Sequence, residues 1–189
     1  MIETERLIIR KFKESDLKDY FEFVSQVDVL PRVGATPHVS IDTARERLLI
    51  EIEKPLMFAI VYKPDNKVVG NIALNNPKPA RYEGMDINEH VKEIGYLLSH
   101  DYWGKGIMVE AVKGLFNYAF DNLNIEAVVA GVKMANRQSV RVLEKVGLPQ
   151  HSVIKEYGTW VDGTTTDYSR HRITREEWRA LQESKETCQ

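Results

Sequence analysis

A single mixed α+β domain is the fold class that these 189 residues predict. Three observations carry it. Apolar runs of strand length alternate irregularly with segments whose apolar residues recur at helical spacing, in the order β-α-α-β-β-β-α-β-α-β-β. Turn chemistry at Lys63-Pro64-Asp65-Asn66-Lys67 and at Asp162-Gly163 joins two pairs of strands into hairpins. A hydrophobic content of 43%, with no repeat or linker, suits one core of ordinary size. The sheet then has about seven strands. The domain spans 1–189, with 176–189 forming a terminal helix whose charged end frays.

Leu7-Ile8-Ile9-Arg10-Lys11 reads as the first strand. Ser15 is placed to cap a helix to about Gln26, with Leu17, Tyr20, Phe21 and Val24 on one face. Pro31 to Pro37 is a loop around Gly34. Ser40 caps a second helix, through about Ile52, that Pro55 stops. Met57 to Val61 and Val68 to Leu74 form the first hairpin. Asn75 to Glu89 holds two prolines, Gly84 and many polar residues, a loop of the length that goes with function or mobility. Val91 to Ser99 is a strand, and Met108 to Leu123 a helix with Met108, Val112, Leu115, Phe116 and Ala119 on its apolar face. Ala127 to Val132 is a strand. Asn136 to Val146 is a helix ended by Gly147. Val153 to Tyr157 and Tyr168 to Ile173 make the final hairpin, and Arg175 to Lys185 a short helix.

Charge and composition narrow the function. A net charge of −2 gives no electrostatic case for nucleic acid. No apolar run approaches a membrane span, and the N-terminus lacks an apolar signal core, so a cytoplasmic protein without membrane contact is expected. Both a monomer and a homodimer fit. The one cysteine, Cys188, reads as a solvated tail thiol. His38, His90, His100, His151 and His171 are scattered without ligand spacing, so no metal is expected.

The functional signal sits at Trp103-Gly104-Lys105-Gly106-Ile107-Met108, between a strand and a long helix. Two glycines two apart let backbone N–H groups point outward, and the helix dipole adds positive potential at the same place. Such a turn suits a phosphate-bearing ligand, although a Gly-x-Gly also serves as a plain tight turn. It is no Walker loop, because Gly106 follows Gly104-Lys105 where Ser or Thr would be needed. Nor is it a dinucleotide fingerprint, since position 109 is valine.

Glu93-Ile94-Gly95-Tyr96-Leu97-Leu98, then Tyr102-Trp103-Gly104-Lys105-Gly106 and Glu110-Ala111, resemble the GCN5-related N-acetyltransferase (GNAT) family. The branch they resemble includes the ribosomal-protein N-terminal acetyltransferases. Asn136-Arg137-Gln138-Ser139 and Leu143-Glu144-Lys145-Val146-Gly147-Leu148 match further downstream. Thr4-Glu5-Arg6-Leu7 and Thr174-Arg175-Glu176-Glu177-Trp178 match at the two ends. The motifs stand in the family's order over nearly the whole chain. Trp103 takes the first place of the acetyl-CoA loop. The sequence departs from the pattern at Met108, where Gly or Ala is usual, at Val109, where this branch often has Thr, and at Leu148, which replaces a frequent Phe.

The resemblance implies a sheet splayed in its middle, flanked by helices, with Glu93 to Ser99 and Ala127 to Val132 on the two sides of a thioester arm. It implies acetyl-CoA as acetyl-donor cosubstrate, with the diphosphate on the amides of Gly104, Lys105, Gly106, Ile107 and Met108. Lys105 is either a phosphate contact or an exposed lysine. Leu97, Leu98 and Ser99 are the candidates for backbone pairing with the pantetheine arm. Glu93, which shares a strand face with Gly95, is the candidate base for the acceptor amine; a structural or solvated glutamate is the alternative. Ser139 is the candidate partner of the departing thiolate, and Asn136 a contact to the CoA arm. Read from the helix alone, Asn136 is an N-cap and Ser139 its N3 partner. Arg81, Tyr82 and Glu83, together with Arg32, Arg45, Glu46, Tyr157, Trp160 and Asp162, are the acceptor-side candidates, and each of them taken singly reads better as a solvated or packing residue. The expected activity is acetyl transfer to a primary amine, a protein N-terminus or a small molecule. The rival is a catalytically idle acyl-CoA-binding module, for which Met108 is the best hint.

Overall fold

A computed structural model of the chain describes residues 1–186. The last three residues of the expected tail, Cys188 among them, lie outside the described residues. The described residues form eight strands and five α-helices, a mixed α+β fold, in two compact units. The first unit holds 1–74 and 95–115, the second 75–94 and 116–186.

In the first unit, β1 (Ile2–Glu3), β2 (Leu7–Arg10), β3 (Met57–Tyr62) and β4 (Lys67–Asn75) lie side by side in that order. β1 is the eighth strand, two residues long and too short to leave a pattern in the sequence. β3 and β4 form the expected hairpin, closed by a 3-10 turn at Lys63–Asp65 with Asn66 in the left-handed region. Asn accepts that conformation at little cost. The C-terminal half of β5 (Val91–Leu98) completes this side. Gly70 of β4 faces the Leu97 carbonyl so closely that any side chain there would strike it.

Helices α1 (Leu17–Val24) and α2 (Ile41–Glu53) bury Tyr20, Phe23, Val24, Ala44 and Leu48 with Phe12, Ala59 and Val61 in one cluster. Ser40 caps α2 as expected, accepting the Thr43 N–H at 3.2 Å. Ser15 does not cap α1. It lies inside a 3-10 turn, Glu14–Asp16, and α1 begins after Asp16. The Asp16 carboxylate is drawn instead to the Arg10 guanidinium and the Lys13 N–H, each at 2.8 Å. A charged acceptor with two strong donors outcompetes a neighbouring hydroxyl.

In the second unit the N-terminal half of β5, β6 (Ala127–Lys133), β8 (Thr165–Thr174) and β7 (Gln150–Thr159) are neighbours in that order. β5 and β6 pair in parallel at Val91↔Ala127, Lys92↔Val128 and Glu93↔Val129. β7 and β8 run well past the expected hairpin limits, because β7 is largely exposed and its apolar residues do not alternate. Its register shifts between Ile154 and Gly158, with Glu156 at φ +50°. α4 (Arg137–Val146) ends at Gly147, φ +87°, as expected for a left-handed C-cap. The second half of α3 (Ile107–Asn122) carries Phe116, which meets Trp178 of α5 (Arg175–Glu186) edge to face at 5.2 Å. The Trp178 indole donates to Asn117 at 2.8 Å. No described helix is long and apolar enough to cross a membrane.

His171 of β8 is buried between the Ser169 hydroxyl, 3.0 Å, and the Leu148 carbonyl, 3.2 Å. Burial disfavours the charged imidazolium and holds its pKa below the usual 6.5, in spite of that carbonyl. The unfolded chain therefore binds this proton more readily than the folded one. The stability from neutral His171 is full above pH about 6.5 and is lost as pH falls through the lower folded value. Urea midpoints taken between pH 7.5 and 5.5 should fall for the wild type and stay flatter for His171→Gln.

Candidate active site

The turn between β5 and α3 belongs to the first unit, and its backbone is tied down where the strand ends. The Ser99 N–H donates to the Val69 carbonyl at 2.8 Å, and the Tyr102 N–H to the Ser99 carbonyl at 3.0 Å. The Trp103 indole N–H donates to the Leu98 carbonyl at 2.9 Å. That bond explains tryptophan at the head of the turn: it clamps the strand end while its side chain packs against the hydrophobic cluster that holds Tyr20, Phe23 and Leu48. His100 stands edge-on to the same ring at 4.6 Å, and the Arg32 guanidinium lies over it at 5.4 Å. The Gln26 amide accepts the His100 N–H at 2.9 Å and donates to the Ser99 hydroxyl at 3.1 Å.

Gly104 and Gly106 are left-handed, φ +76° and +75°, and the space beside Gly104 is open to 4 Å. Residues with a Cβ are strained in this conformation, so both glycines are required by the turn. The Glu110 N–H bonds the Gly106 carbonyl at 3.1 Å and closes the first turn of α3. The amides just before it have no partner within the helix by its geometry, and the dipole is positive there. Ile107 is fully buried and Met108 is 5% exposed. A side chain filling an open cradle would be solvated, so buried Met108 does not obstruct it. The Lys105 ammonium lies 4.7 Å over the Tyr102 ring, whose hydroxyl donates to Asp65 at 2.7 Å.

The second unit holds Glu93 of β5, nearly buried. The Tyr82 hydroxyl donates to its Oε1 at 2.8 Å, and Arg81 approaches the same oxygen at 3.3 Å. A 3-10 turn at Pro79–Arg81 delivers both residues. The Tyr82 ring is anchored among Val91, Ala127 and Val129. The long loop is therefore fastened here, and Arg170 fastens it again by donating to the Glu83 carbonyl at 2.7 Å. Burial pushes the Tyr82 phenol far above its usual pKa, and the Glu93 charge adds to the effect, so it stays a donor. Buried Tyr168 is pushed up to about 12, mainly by burial, and its ring meets that of Tyr157 at 4.8 Å. The line of phenols runs from a buried carboxylate to Tyr157, which is 41% exposed.

Asn136 caps α4. Its Oδ1 accepts the Ser139 N–H at 3.3 Å, and the side chain is buried. Thr166 fixes the approach to the cap by accepting the Ala135 N–H at 3.1 Å. Ser139 is half-buried at the third position of the helix. Among the described residues no cluster of His, Cys, Asp and Glu has the makings of a metal site.

Two partnerships were not drawn from the sequence. Tyr82 was singled out only for its place in a long loop, and nothing in its spacing points to Glu93. Arg6 and Glu110 each fell in a matching motif, but their contact, 104 residues apart, leaves no local trace.

Comparisons with known proteins bear on this arrangement. The family described as an acetyltransferase (GNAT) domain matches residues 6–149. An uncharacterized N-acetyltransferase, p20, of Bacillus licheniformis is 28% identical over 159 residues, covering 82% of this chain and 85% of that one. A putative ribosomal N-acetyltransferase, YdaF, of Bacillus subtilis is 26% identical over 189 residues, covering 92% and 94%. The crystal structure of a GNAT-family acetyltransferase from Bacillus anthracis superposes with a TM-score of 0.79 at 25% identity, covering 93% of this chain and 99% of that one.

Tyr82→Phe leaves the buried Glu93 oxygen without its phenolic donor. We expect a loss of about 1–3 kcal/mol in urea unfolding, against a change within about 0.5 kcal/mol for Tyr157→Phe at the exposed end of the same row.

Proposed function

For a chain that belongs to the acetyltransferase (GNAT) family, and is therefore an N-acetyltransferase, we propose direct transfer of acetyl from acetyl-CoA to a primary amine. The acceptor is a protein N-terminal α-amine or the amine of a small molecule. The observation that carries this reading is the turn at 103–108, where left-handed Gly104 and Gly106 precede the start of α3 with open space beside Gly104. It fits a diphosphate on the amides of Gly104 to Met108, on dipole and donor grounds alike. Met108 is buried, which removes the main reason for an idle acyl-CoA-binding module.

Acetyl-CoA supplies an acetyl group activated as a thioester. The chain's own residues bind, orient and move protons. Ser99 spends its N–H on β4, and successive residues of an extended strand turn their backbone groups to opposite edges, so the groups of Leu98 face the other way. The Leu98 carbonyl is taken by Trp103, which leaves its N–H as the group we assign to the pantetheine arm, beside Leu97. We assign Glu93 to accept the amine's proton, directly or through water. Ser139 hydrogen-bonds the departing thiolate, while Asn136 holds the start of α4. A thiol leaves readily at a pKa of about 8.5, so Ser139 has a modest task. No covalent intermediate is needed.

The acceptor's own pKa ranks the possibilities. Freeing an α-amine of pKa about 7.8 at pH 7 costs about 1 kcal/mol, whereas a lysine amine at about 10.4 costs nearly 5 kcal/mol. A single carboxylate tied to Tyr82 and Arg81 suits the first task better.

The test is thiol release from acetyl-CoA across peptides with free N-termini, amino acids, polyamines and aminoglycosides. Release with at least one amine is expected; tight CoA binding with no turnover on any of them would favour the binding module. Glu93→Gln should lower kcat by about a hundredfold, with acetyl-CoA affinity nearly kept. Turnover unchanged across the pH range would remove Glu93 from its assigned role.

A further inference from the structure

Arg6 lies on the approach to β2, far in sequence from the glycine turn, yet its guanidinium reaches into it. Nη1 donates to the Lys105 carbonyl at 2.9 Å. Nε donates to Glu110 Oε2 at 2.7 Å, and the Arg6 backbone N–H to Glu110 Oε1 at 2.8 Å. The Thr4 hydroxyl donates to that same Oε1 at 2.5 Å. Glu110 thus takes three donors while sitting in the first turn of α3, and its side chain is 17% exposed. Burial alone would raise its pKa, but the bonds from Thr4 and Arg6 outweigh burial and hold it below the usual carboxylate value.

We propose that Thr4, Arg6 and Glu110 form a clamp that sets the Lys105–Gly106 peptide and so aims the amides that receive the diphosphate. A trans peptide is planar, and its C=O and N–H point in opposite directions. With the Lys105 carbonyl held by Arg6, the Gly106 N–H of the same peptide must point away from Arg6. Gly106, left-handed and without a Cβ, leaves this peptide's plane loosely held on one side, and a second left-handed glycine stands one residue before Lys105. The fork of one guanidinium spans the helix carboxylate and the turn carbonyl at once. Lysine has no second nitrogen with which to do so. Arg6 is a positioning residue here. This inference rests on the reading that the turn takes the diphosphate.

Charge offers a rival, in which Arg6 acts directly on the phosphates. The two readings differ in sign. If Arg6 positions, Arg6→Lys fails to rescue and Glu110→Gln weakens binding, because the charged anchor of the fork is gone. If Arg6 acts by charge, Arg6→Lys is well tolerated and Glu110→Gln tightens binding by removing a negative charge.

The experiment is calorimetric titration of coenzyme A into the full chain and into Arg6→Lys, Arg6→Gln and Glu110→Gln. Pantetheine, which lacks the diphosphate, is titrated in parallel by ligand-detected NMR, and urea midpoints check folding. We expect each variant to lose about tenfold or more in coenzyme A affinity, with pantetheine binding changed little. Equal weakening of both ligands, or unchanged coenzyme A affinity in all variants, overturns the clamp. So does rescue by lysine with tightening in Glu110→Gln. A wild-type chain that ignores coenzyme A overturns the proposed function, and the clamp with it, whereas wild-type binding with indifferent variants sinks the clamp alone.

Discussion

Backbone polarity between residues 98 and 110 is the constraint on which the rest depends. A strand ends, the chain reverses and a helix begins within a dozen residues, and several carbonyls along the way take donors from the protein itself. Leu98 obtains one from the Trp103 indole, Ser99 from the Tyr102 amide, His100 from the Trp103 amide, Lys105 from Arg6 and Gly106 from Glu110. Carbonyls so committed turn the amides of the same peptides the other way. Around Lys105 and Gly106, where the carbonyls are held by Arg6 and by the Glu110 amide, this leaves a donor-rich turn of the kind that suits the anion proposed for it.

Glu93 poses the complementary problem. A carboxylate on a nearly buried strand position cannot be left without donors. Tyr82 and Arg81 supply them, and the loop carrying them is held in turn by Arg170. The loop is long because it must bring a tyrosine across to a strand residue eleven positions ahead, not because it is slack. Backbone geometry governs the glycine turn, and side-chain hydrogen bonding the surroundings of Glu93.

The sequence carried most of the element order, because strands and helices leave periodic apolar traces and Gly147, Ser40 and Pro55 punctuate them. It carried the glycine turn too, since left-handed positions advertise themselves by composition. β1 leaves no trace because two residues hold no period, and β7 reads short because an exposed, bulged strand has no alternation. By residue type Ser15 suits a cap, whereas Arg10 and the Lys13 N–H bind Asp16 and α1 begins after it. Asn136 as N-cap was the reading offered by local sequence alone, and Oδ1 does bond the Ser139 amide. The contacts of Arg6 with Glu110 and of Tyr82 with Glu93 belong to tertiary structure, and no local rule reaches them.

Several of these residues hold the fold and the site with the same atoms, which governs how any variant must be read. Trp103 closes the strand end through its indole nitrogen, and its side chain packs against the cluster that holds Tyr20, Phe23 and Leu48. Replacing it alters folding stability and the shape of the turn together. Asn136 is similar, since losing an N-cap costs about 1 kcal/mol whatever else it touches. A fall in activity at either position therefore says little about chemistry unless stability is measured beside it. Arg6 and Glu110 are more informative, because their hydrogen bonds end on a carboxylate and a carbonyl at the surface of the turn, not in the apolar core. The separation between orienting an amide and supporting a fold is widest at the Lys105 carbonyl, where one guanidinium nitrogen bears on one peptide plane.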